Sequence, residues 1–249
     1  MFRAVVFLAG PSQISDVGTK QNWTHWKPVS HSVTQSVDLP TKVYIADAGL
    51  NSFLRWYDQL ETNEQSHIGS VLWCGDGDSL GDEGRELLAQ TAARFEGRWR
   101  EHVYESGKDF SDCAAITSLI EYDLRHEEEP QGLWIDVYGA LGGRLDHELG
   151  NVFEFACSLA RIAVPSAYVF GGKSVLATCA LVGHMNVGDT FSVLPSNPLC
   201  LNVVQISNAE YSGEIELRQP SHGLSNVARA EQVTIVPVRL NCPYLALIN

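Results

Sequence analysis

Over the first two-thirds of the chain, short runs rich in β-branched and aromatic residues alternate with longer segments of helical period. "AVVFLAG" (4–10) is apolar almost throughout, the pattern of a strand buried on both faces. After a polar stretch, "KVYIADAG" (42–49) predicts a strand leading into a helix over "LNSFLRWYDQL". "SVLWCGDGDS" (70–79) predicts another strand, with an amphipathic helix over "DEGRELLAQTAARFEGRW" behind it. "HVYESGKDFSD" reads as a further strand and loop before the helical "CAAITSLIEYDLRH", and "GLWIDVYGAL" (132–141) as the strand that follows. Leu145, Leu149, Val152, Phe153, Ala156, Leu159 and Ala160 then fall at i, i+3, i+4 spacing, which predicts a helix with that face on the sheet. Alternation of this kind predicts a mainly parallel sheet flanked by helices.

From about residue 165 the texture changes. "SAYVFGGKSVLATCALVGHMNVGDTFSVLP", "LCLNVVQIS", "GEIELRQP", "EQVTIVPVRL" and "PYLALIN" are short Val/Ile/Leu/Thr-rich runs separated by Gly, Pro, Asn and Asp, without a long helical period. They predict an antiparallel β-sandwich or small barrel. The expected division is an α/β domain over 1–164 and an all-β sandwich domain over 165–249, with the boundary near Val164 and Pro165. No internal repeat or low-complexity stretch interrupts it, and "RHEEEP" (125–130) reads as a solvated helix end.

Composition narrows the class. A chain of 249 residues buries roughly 70–75 % of its unfolded surface, enough for a substantial core. The apolar run before Gly10 is too short for a signal peptide, and the most apolar later stretch is interrupted by Glu154, Arg161 and Pro165. The expectation is a soluble, cytoplasmic protein with no membrane partner. Six cysteines at 74, 113, 157, 179, 200 and 242 are scattered without a CxxC pair, and we expect reduced, mostly buried thiols. A formal net charge of −13 argues against nucleic-acid binding, although a metal ion can still bring a phosphate to an acidic surface.

Three polar clusters sit just after predicted strands, at the carboxyl edge where parallel sheets place their sites. In "CGDGDS", Asp76 and Asp78 are two apart and can point the same way, two hard oxygen ligands suited to Mg²⁺; an Asp-Gly turn with Asp78 or Ser79 capping the next helix accounts for the same residues. In "KDFSD" (Lys108 to Asp112), Asp109 and Asp112 share one face of a helix start, as metal ligands or as ordinary capping acids. Two carboxylate pairs at adjacent strand ends favour a cation between them. In "GALGGRLDHELGN" (139–151), Gly142 and Gly143 allow close backbone approach to a phosphate, the helix start offers N–H groups, and Arg144 adds a fork of donors. Asp146 in that first turn could equally cap, and His147 is a base, a ligand or simply structural. "NWTHWKPVSH" lies in a predicted loop, where Trp23 and Trp26 read as packing residues.

In this order the clusters resemble the thiamine pyrophosphokinase family, with "ADAGLNSF" from Ala46, "GDGDS" from Gly75, "KDFSD" from Lys108 and "GALGGRLDHELGN" from Gly139; "TFSVLP" (190–195) and "HGLSN" (222–226) resemble its β-domain segments. The resemblance implies transfer of a diphosphoryl group from ATP to thiamine, with Mg²⁺ required. It implies that Asp76, Asp78 and Asp112 hold Mg²⁺ with Asp109 beside them, and that Arg144, Gly142 and Gly143 grip the ATP phosphates. Asp47, Asn51, Lys108, Asp146 and His147 would line the cleft, with Asp146 polarising the thiamine hydroxyl. Ser225 and Asn226 would approach thiamine in a homodimer, the sandwich of one subunit facing the catalytic domain of the other. Gly77 stands where the family has an aromatic, Ser111 where it has Thr, and Ser52 where it has Arg. The alternatives are a pterin-type diphosphokinase or nucleotide hydrolase using the same metal site, and a non-catalytic thiamine or nucleotide sensor of the same fold.

Overall fold

The computed structural model describes residues 2–10, 26–29, 41–107, 109–196, 200–239 and 242–248. In chain order its strands are β1 (Phe2–Phe7), β2 (Trp26–Pro28), β3 (Thr41–Ala46), β4 (Ile68–Gly75), β5 (Trp99–Val103), β6 (Leu133–Tyr138), β7 (Ser166–Phe170) and β8 (Ser174–Ala177). They continue with β9 (Leu181–His184), β10 (Thr190–Pro195), β11 (Val203–Ser207), β12 (Gly213–Glu216), β13 (Asn226–Val227), β14 (Gln232–Pro237) and β15 (Tyr244–Ile248). The α-helices are α1 (Leu50–Tyr57), α2 (Thr62–Ser66), α3 (Gly81–Arg94), α4 (Asp112–Arg125) and α5 (Leu145–Arg161).

The first strand pairs in parallel with β3 on one side and β6 on the other, and helices cover both faces, so it has no wet side and reads as an unbroken apolar run. With β4, β5 and β7 the parallel part has the order β7-β6-β1-β3-β4-β5. On one face α4 and α5 bring Ile116, Ile120, Phe155 and Leu159 against Val6, Tyr44 and Ile135. The other face is aromatic: Phe7, Phe53, Trp56, Tyr57 and Phe95 pack with ring centroids 4.9 to 6.3 Å apart. Such burial, at about 25 cal/mol per Å² of apolar surface, is what holds the crossovers on the sheet.

The C-terminal part is antiparallel. Its strands do not close on themselves alone: β8 pairs with β7, and β15, β10 and β13 extend the same sheet to ten strands. A second sheet, β12-β11-β14-β9-β2, lies against that extension around Val169, Phe191, Val193, Ile206, Ile235 and Tyr244. The chain is thus a mainly parallel α/β sheet with helices, followed by an antiparallel β region, as its patterning predicts. Ser166–Phe170, just after the change in texture, is the last parallel strand and the first with an antiparallel neighbour.

Four local expectations need correction. Trp26 lies on a strand, fully buried between the two sheets; Trp23 falls outside the described residues. The helix after β4 stops at Arg94, because Gly97 at φ +79° turns the chain into β5 at Trp99. On α5, Leu145, Leu149 and Phe153 face outward, and the sheet instead receives Phe155, Ala156 and Leu159. The residues of its first two turns are exposed or half-buried, and full burial begins only at Phe155. Finally, Cys200 and Cys242 form a disulfide, their Cα atoms 5.8 Å apart, while Cys74, Cys113, Cys157 and Cys179 are not in disulfides.

Asp136 is buried in mid-strand on β6, opposite Val5 and Val169. Burial pushes its carboxyl up to about 6, with Arg3 pulling it back. A raised carboxyl favours the folded state while protonated, so this contribution is lost as pH rises from the ordinary carboxylate range through about 6. Asp136→Asn is expected to add up to about 3 kcal/mol of stability at pH 8 and nothing at pH 4. Denaturant melts at the two pH values check this, and an equal change at both rejects it.

Candidate active site

The connections after β1, β3, β4, β5 and β6 leave the parallel sheet at one edge, and the direction of the crossovers reverses between β1 and β6. Crevices at such reversals are where open parallel sheets bind ligands. The two turns there touch backbone to backbone. A Cβ on Gly10 would lie 2.2 Å from the Gly139 carbonyl oxygen, and one on Gly139, which has φ +74°, 2.4 Å from that of Leu8. Only glycine fits either position.

Ala46 pairs with Cys74 across β3 and β4, so Asp47, as it leaves β3, lies beside Gly75, the last residue of β4. Asp47 starts a 3-10 turn (Asp47–Gly49) with φ +40°, a left-handed conformation that costs a residue with a side chain on the order of 1–3 kcal/mol. Its side chain is buried, and its Oδ1 has no hydrogen-bond partner among the described residues. Oxygen atoms of Asp47, Asp76 and Asp78 all lie within 4.8 Å of one another. Asp76 accepts from the Asp78 backbone N–H at 3.2 Å, and Asp78 accepts from the Ser79 hydroxyl at 3.0 Å. Burial pushes the Asp47 carboxyl up; the Ser79 hydroxyl draws it partly back, and Asp112, Asp78 and Asp76 push it up again. An unpartnered buried oxygen amid two further carboxylates is a donor set that a small divalent cation such as Mg²⁺ fits.

Asp112 is the first residue of α4, whose N-cap Ser111 accepts from the Ala114 N–H at 3.1 Å. Serine therefore does here what threonine would do at that position. Asp112 also raises Tyr104, whose phenol burial pushes up to about 12, and Tyr104 meets Phe110 edge to face at 5.1 Å. Asp112 stands next to the three-oxygen cluster without belonging to it; Asp109 is exposed and outside it, and Lys108 lies outside the described residues. Asn51 is exposed on α1, and Ser52 is buried against the fold.

In the turn after β6, the Arg144 guanidinium grips Asp146 through two bonds, Nη2 to Oδ2 at 2.6 Å and Nε to Oδ1 at 3.2 Å. Arg144 is held up by Asp146, and Asp146 is held below the usual carboxylate range by Arg144. The Gly142 and Gly143 N–H groups both donate to Glu148 Oε1, at 2.9 and 2.6 Å. Asn151 donates to the Ala140 carbonyl at 3.0 Å and ties α5 to the turn, while His147 is exposed.

Ser225 and Asn226 are elsewhere. Ser225 sits at φ +55° and donates its N–H to the Ser192 hydroxyl at 3.1 Å. The buried Asn226 amide is spent on backbone, accepting from Tyr211 and Val227 and donating to the Tyr211 carbonyl. β13 and β3 are seven strand spacings apart in the large sheet, roughly 34 Å at about 4.8 Å each. Within the chain these residues do not meet the carboxylates.

No protein-family model matches the chain, and no curated protein matches it in sequence. Its architecture, however, has solved counterparts. Thiamine pyrophosphokinase from Bacillus subtilis superposes with a TM-score of 0.61 at 17 % identity, covering 100 % of this chain and 99 % of that one. The chain has the thiamine pyrophosphokinase fold. The enzyme from Geobacillus thermodenitrificans matches at TM-score 0.58 and 16 % identity over 100 % and 97 % of the two chains. That from Candida albicans matches at 0.59 and 12 % over 99 % and 89 %. Sequence reasoning placed Asp47 in the cleft without joining it to the acidic cluster, and it passed over Glu148. The signal for Asp47 was its place one residue past β3, in register with the "CGDGDS" strand end.

Because Asp47 is buried with a raised carboxyl, ionising it costs the metal-free fold stability as pH rises above the ordinary carboxylate range. Asp47→Asn is expected to raise the metal-free melting temperature at pH 8 and to weaken Mg²⁺ binding at least about tenfold. Calorimetric melting and Mn²⁺-for-Mg²⁺ titration check both; a variant that binds the ion as well as the parent removes Asp47 from the cluster.

Proposed function

We propose that this protein transfers a diphosphoryl group from ATP to thiamine, producing thiamine diphosphate and AMP. The observation that supports this most is the meeting, at one edge of a thiamine pyrophosphokinase fold, of an Asp47–Asp76–Asp78 carboxylate cluster with the Gly142-Gly143-Arg144 turn. β6 is two strand spacings from β3, roughly 10 Å, a span that suits a polyphosphate bridging the two. Mg²⁺ bound by the carboxylates, with Asp112 and Asp109 alongside, would neutralise the charge on the transferred phosphates. Lys108, Asn51 and His147 belong to the same cleft in this reading.

In the step itself the thiamine hydroxyl oxygen bonds to the β-phosphorus. The bond from that phosphorus to the α,β-bridging oxygen breaks, and AMP leaves with the oxygen. Arg144 supplies donors to phosphate oxygens. Asp146 takes the hydroxyl proton or, held ionised by Arg144, orients the hydroxyl. The chemistry asks for positioning and charge compensation more than for covalent catalysis.

Thiamine reaches the cleft, in this reading, from the β region of a second copy. The separation of Ser225 and Asn226 from the carboxylates supports two subunits per site, and the exposed Leu145, Leu149 and Phe153 of α5 supply an apolar stripe beside the site for the second copy to cover. Commitment of the Asn226 amide to the Tyr211 and Val227 backbone favours a second reading, in which the acceptor is a pterin-type hydroxymethyl compound.

AMP release from ATP is expected only with both Mg²⁺ and thiamine present, followed by chromatography or ³¹P NMR. ATP turnover indifferent to thiamine overturns the assignment, and thiamine replaced by a pterin alcohol selects the second reading. Asp76→Asn is expected to lower kcat at least about a hundredfold with an unchanged melting temperature; wild-type turnover in that variant excludes Asp76 from the site. Phe153→Glu is expected to yield monomers in sedimentation, and an unchanged dimer would move the contact off α5.

A further inference from the structure

The donors of the phosphate grip are already engaged in the free chain. Gly142, at φ +93°, and Gly143 turn their N–H groups toward one point, and Glu148 Oε1 sits there at 2.9 and 2.6 Å. An anionic oxygen shared by two backbone N–H groups is the arrangement in which such turns hold a phosphate oxygen. Glu148 reaches back from the first turn of α5, where the helix dipole also favours a negative charge, and it is half-buried while its neighbours Arg144 and Asp146 are exposed. The remaining donor, Arg144, is closed on Asp146. Two carboxylates of one helical turn thus hold the amides and the guanidinium together.

We infer that Glu148 is a built-in counter-ligand of the phosphate seat: its carboxylate fills the Gly142–Gly143 amides in the free protein and must leave before a phosphate enters. The inference rests on the reading of that turn as the polyphosphate grip. An anion that meets only this seat gains the difference between its own bonds and those of Glu148, which is small. A polyphosphate that also reaches a cation on Asp47, Asp76 and Asp78 gains a second set of contacts and displaces the side chain. Glu148 therefore sets a common threshold: a metal-bound polyphosphate, with its second set of contacts, still clears it, while a single phosphate, weak to begin with, falls below measurable binding. If the closed seat is about 90 % populated, apparent affinity falls about tenfold for every anion that uses it.

The test titrates inorganic phosphate, and separately inorganic triphosphate with Mg²⁺, into the full chain while following the Gly142 and Gly143 amide resonances. In the parent protein, triphosphate is expected to move both resonances and millimolar phosphate neither. In Glu148→Ala both anions are expected to move them, with triphosphate binding about tenfold tighter; Glu148→Gln, which keeps the shape without the charge, should fall between. Glu154→Gln removes a charge from the same helix away from the seat and is expected to change triphosphate affinity much less. Amides that stay still in Glu148→Ala, affinity that is unchanged or weaker, or an equal gain in Glu154→Gln each overturn the inference. If Glu148→Ala proves unfolded, Glu148→Gln decides by the same criteria. Neither probe needs thiamine or turnover, so failure of the diphosphotransfer reading in the AMP assay and failure here are separate results.

Discussion

Carboxylates crowded at the end of a sheet repel, and much of the architecture around Asp47, Asp76 and Asp78 exists to keep them together. Unit charges within 4.8 Å of one another oppose by roughly 3 kcal/mol per pair at the effective dielectric of a protein surface. The parallel register of β3 and β4 fixes two strand ends beside each other, and the Trp73 indole holds the Asp47 carbonyl at 3.2 Å. The left-handed backbone at Asp47 turns its carboxyl inward against this repulsion. Strain, burial and like charge are all concentrated on that residue, and a cation at the same spot would offset the last two.

The turn after β6 has the opposite electrical character. Its amides and Arg144 offer positive poles, and the carboxylates of Glu148 and Asp146 fill them. β1 lies between the two poles and acts as a spacer of fixed width, with Gly10 and Gly139 bringing its turn hard against that of β6. A sheet is stiff in this direction because each spacing is set by hydrogen bonds. Distance between the acidic and the basic pole is therefore a property of topology, insensitive to what the surface loops do.

Much of the parallel half was legible in the sequence because strands buried on both faces leave unbroken apolar runs, as in Val5–Leu8 and Val71–Cys74, and because β3, β4 and β6 meet Asp47, Gly75 and Gly139 at their ends; β5, polar and largely exposed, left no such run. The closeness of Asp76 and Asp78 was legible from their spacing at a strand end, and the structure adds Asp47 to the pair. Leu145, Leu149 and Phe153 misled because helical period reports a face and not what lies beneath it; only their exposure in the folded chain shows that theirs is bare. Trp26 was obscured by a three-residue strand too short to leave an alternating pattern. Cys200 and Cys242 are separated by 42 residues, and nothing local announces that β10 and β15 bring the flanking segments together. Glu148 looks like any solvated helix residue until the two amides it meets are seen in three dimensions.

The shared ten-stranded sheet has a consequence for how this chain can be cut. The antiparallel strands hydrogen-bond to the parallel ones through β7 and β8, so neither half has a finished edge of its own. A fragment ending near residue 164 would lack β7 and present the long apolar edge of β6 to solvent, an open invitation to pair with another chain. The reciprocal fragment would begin with β7, paired to β8 on one edge and bare on the other. The two halves are therefore a poor pair of interchangeable modules: they were joined by backbone hydrogen bonds as well as by a linker, and recombination between them would have to respect a strand that belongs to both.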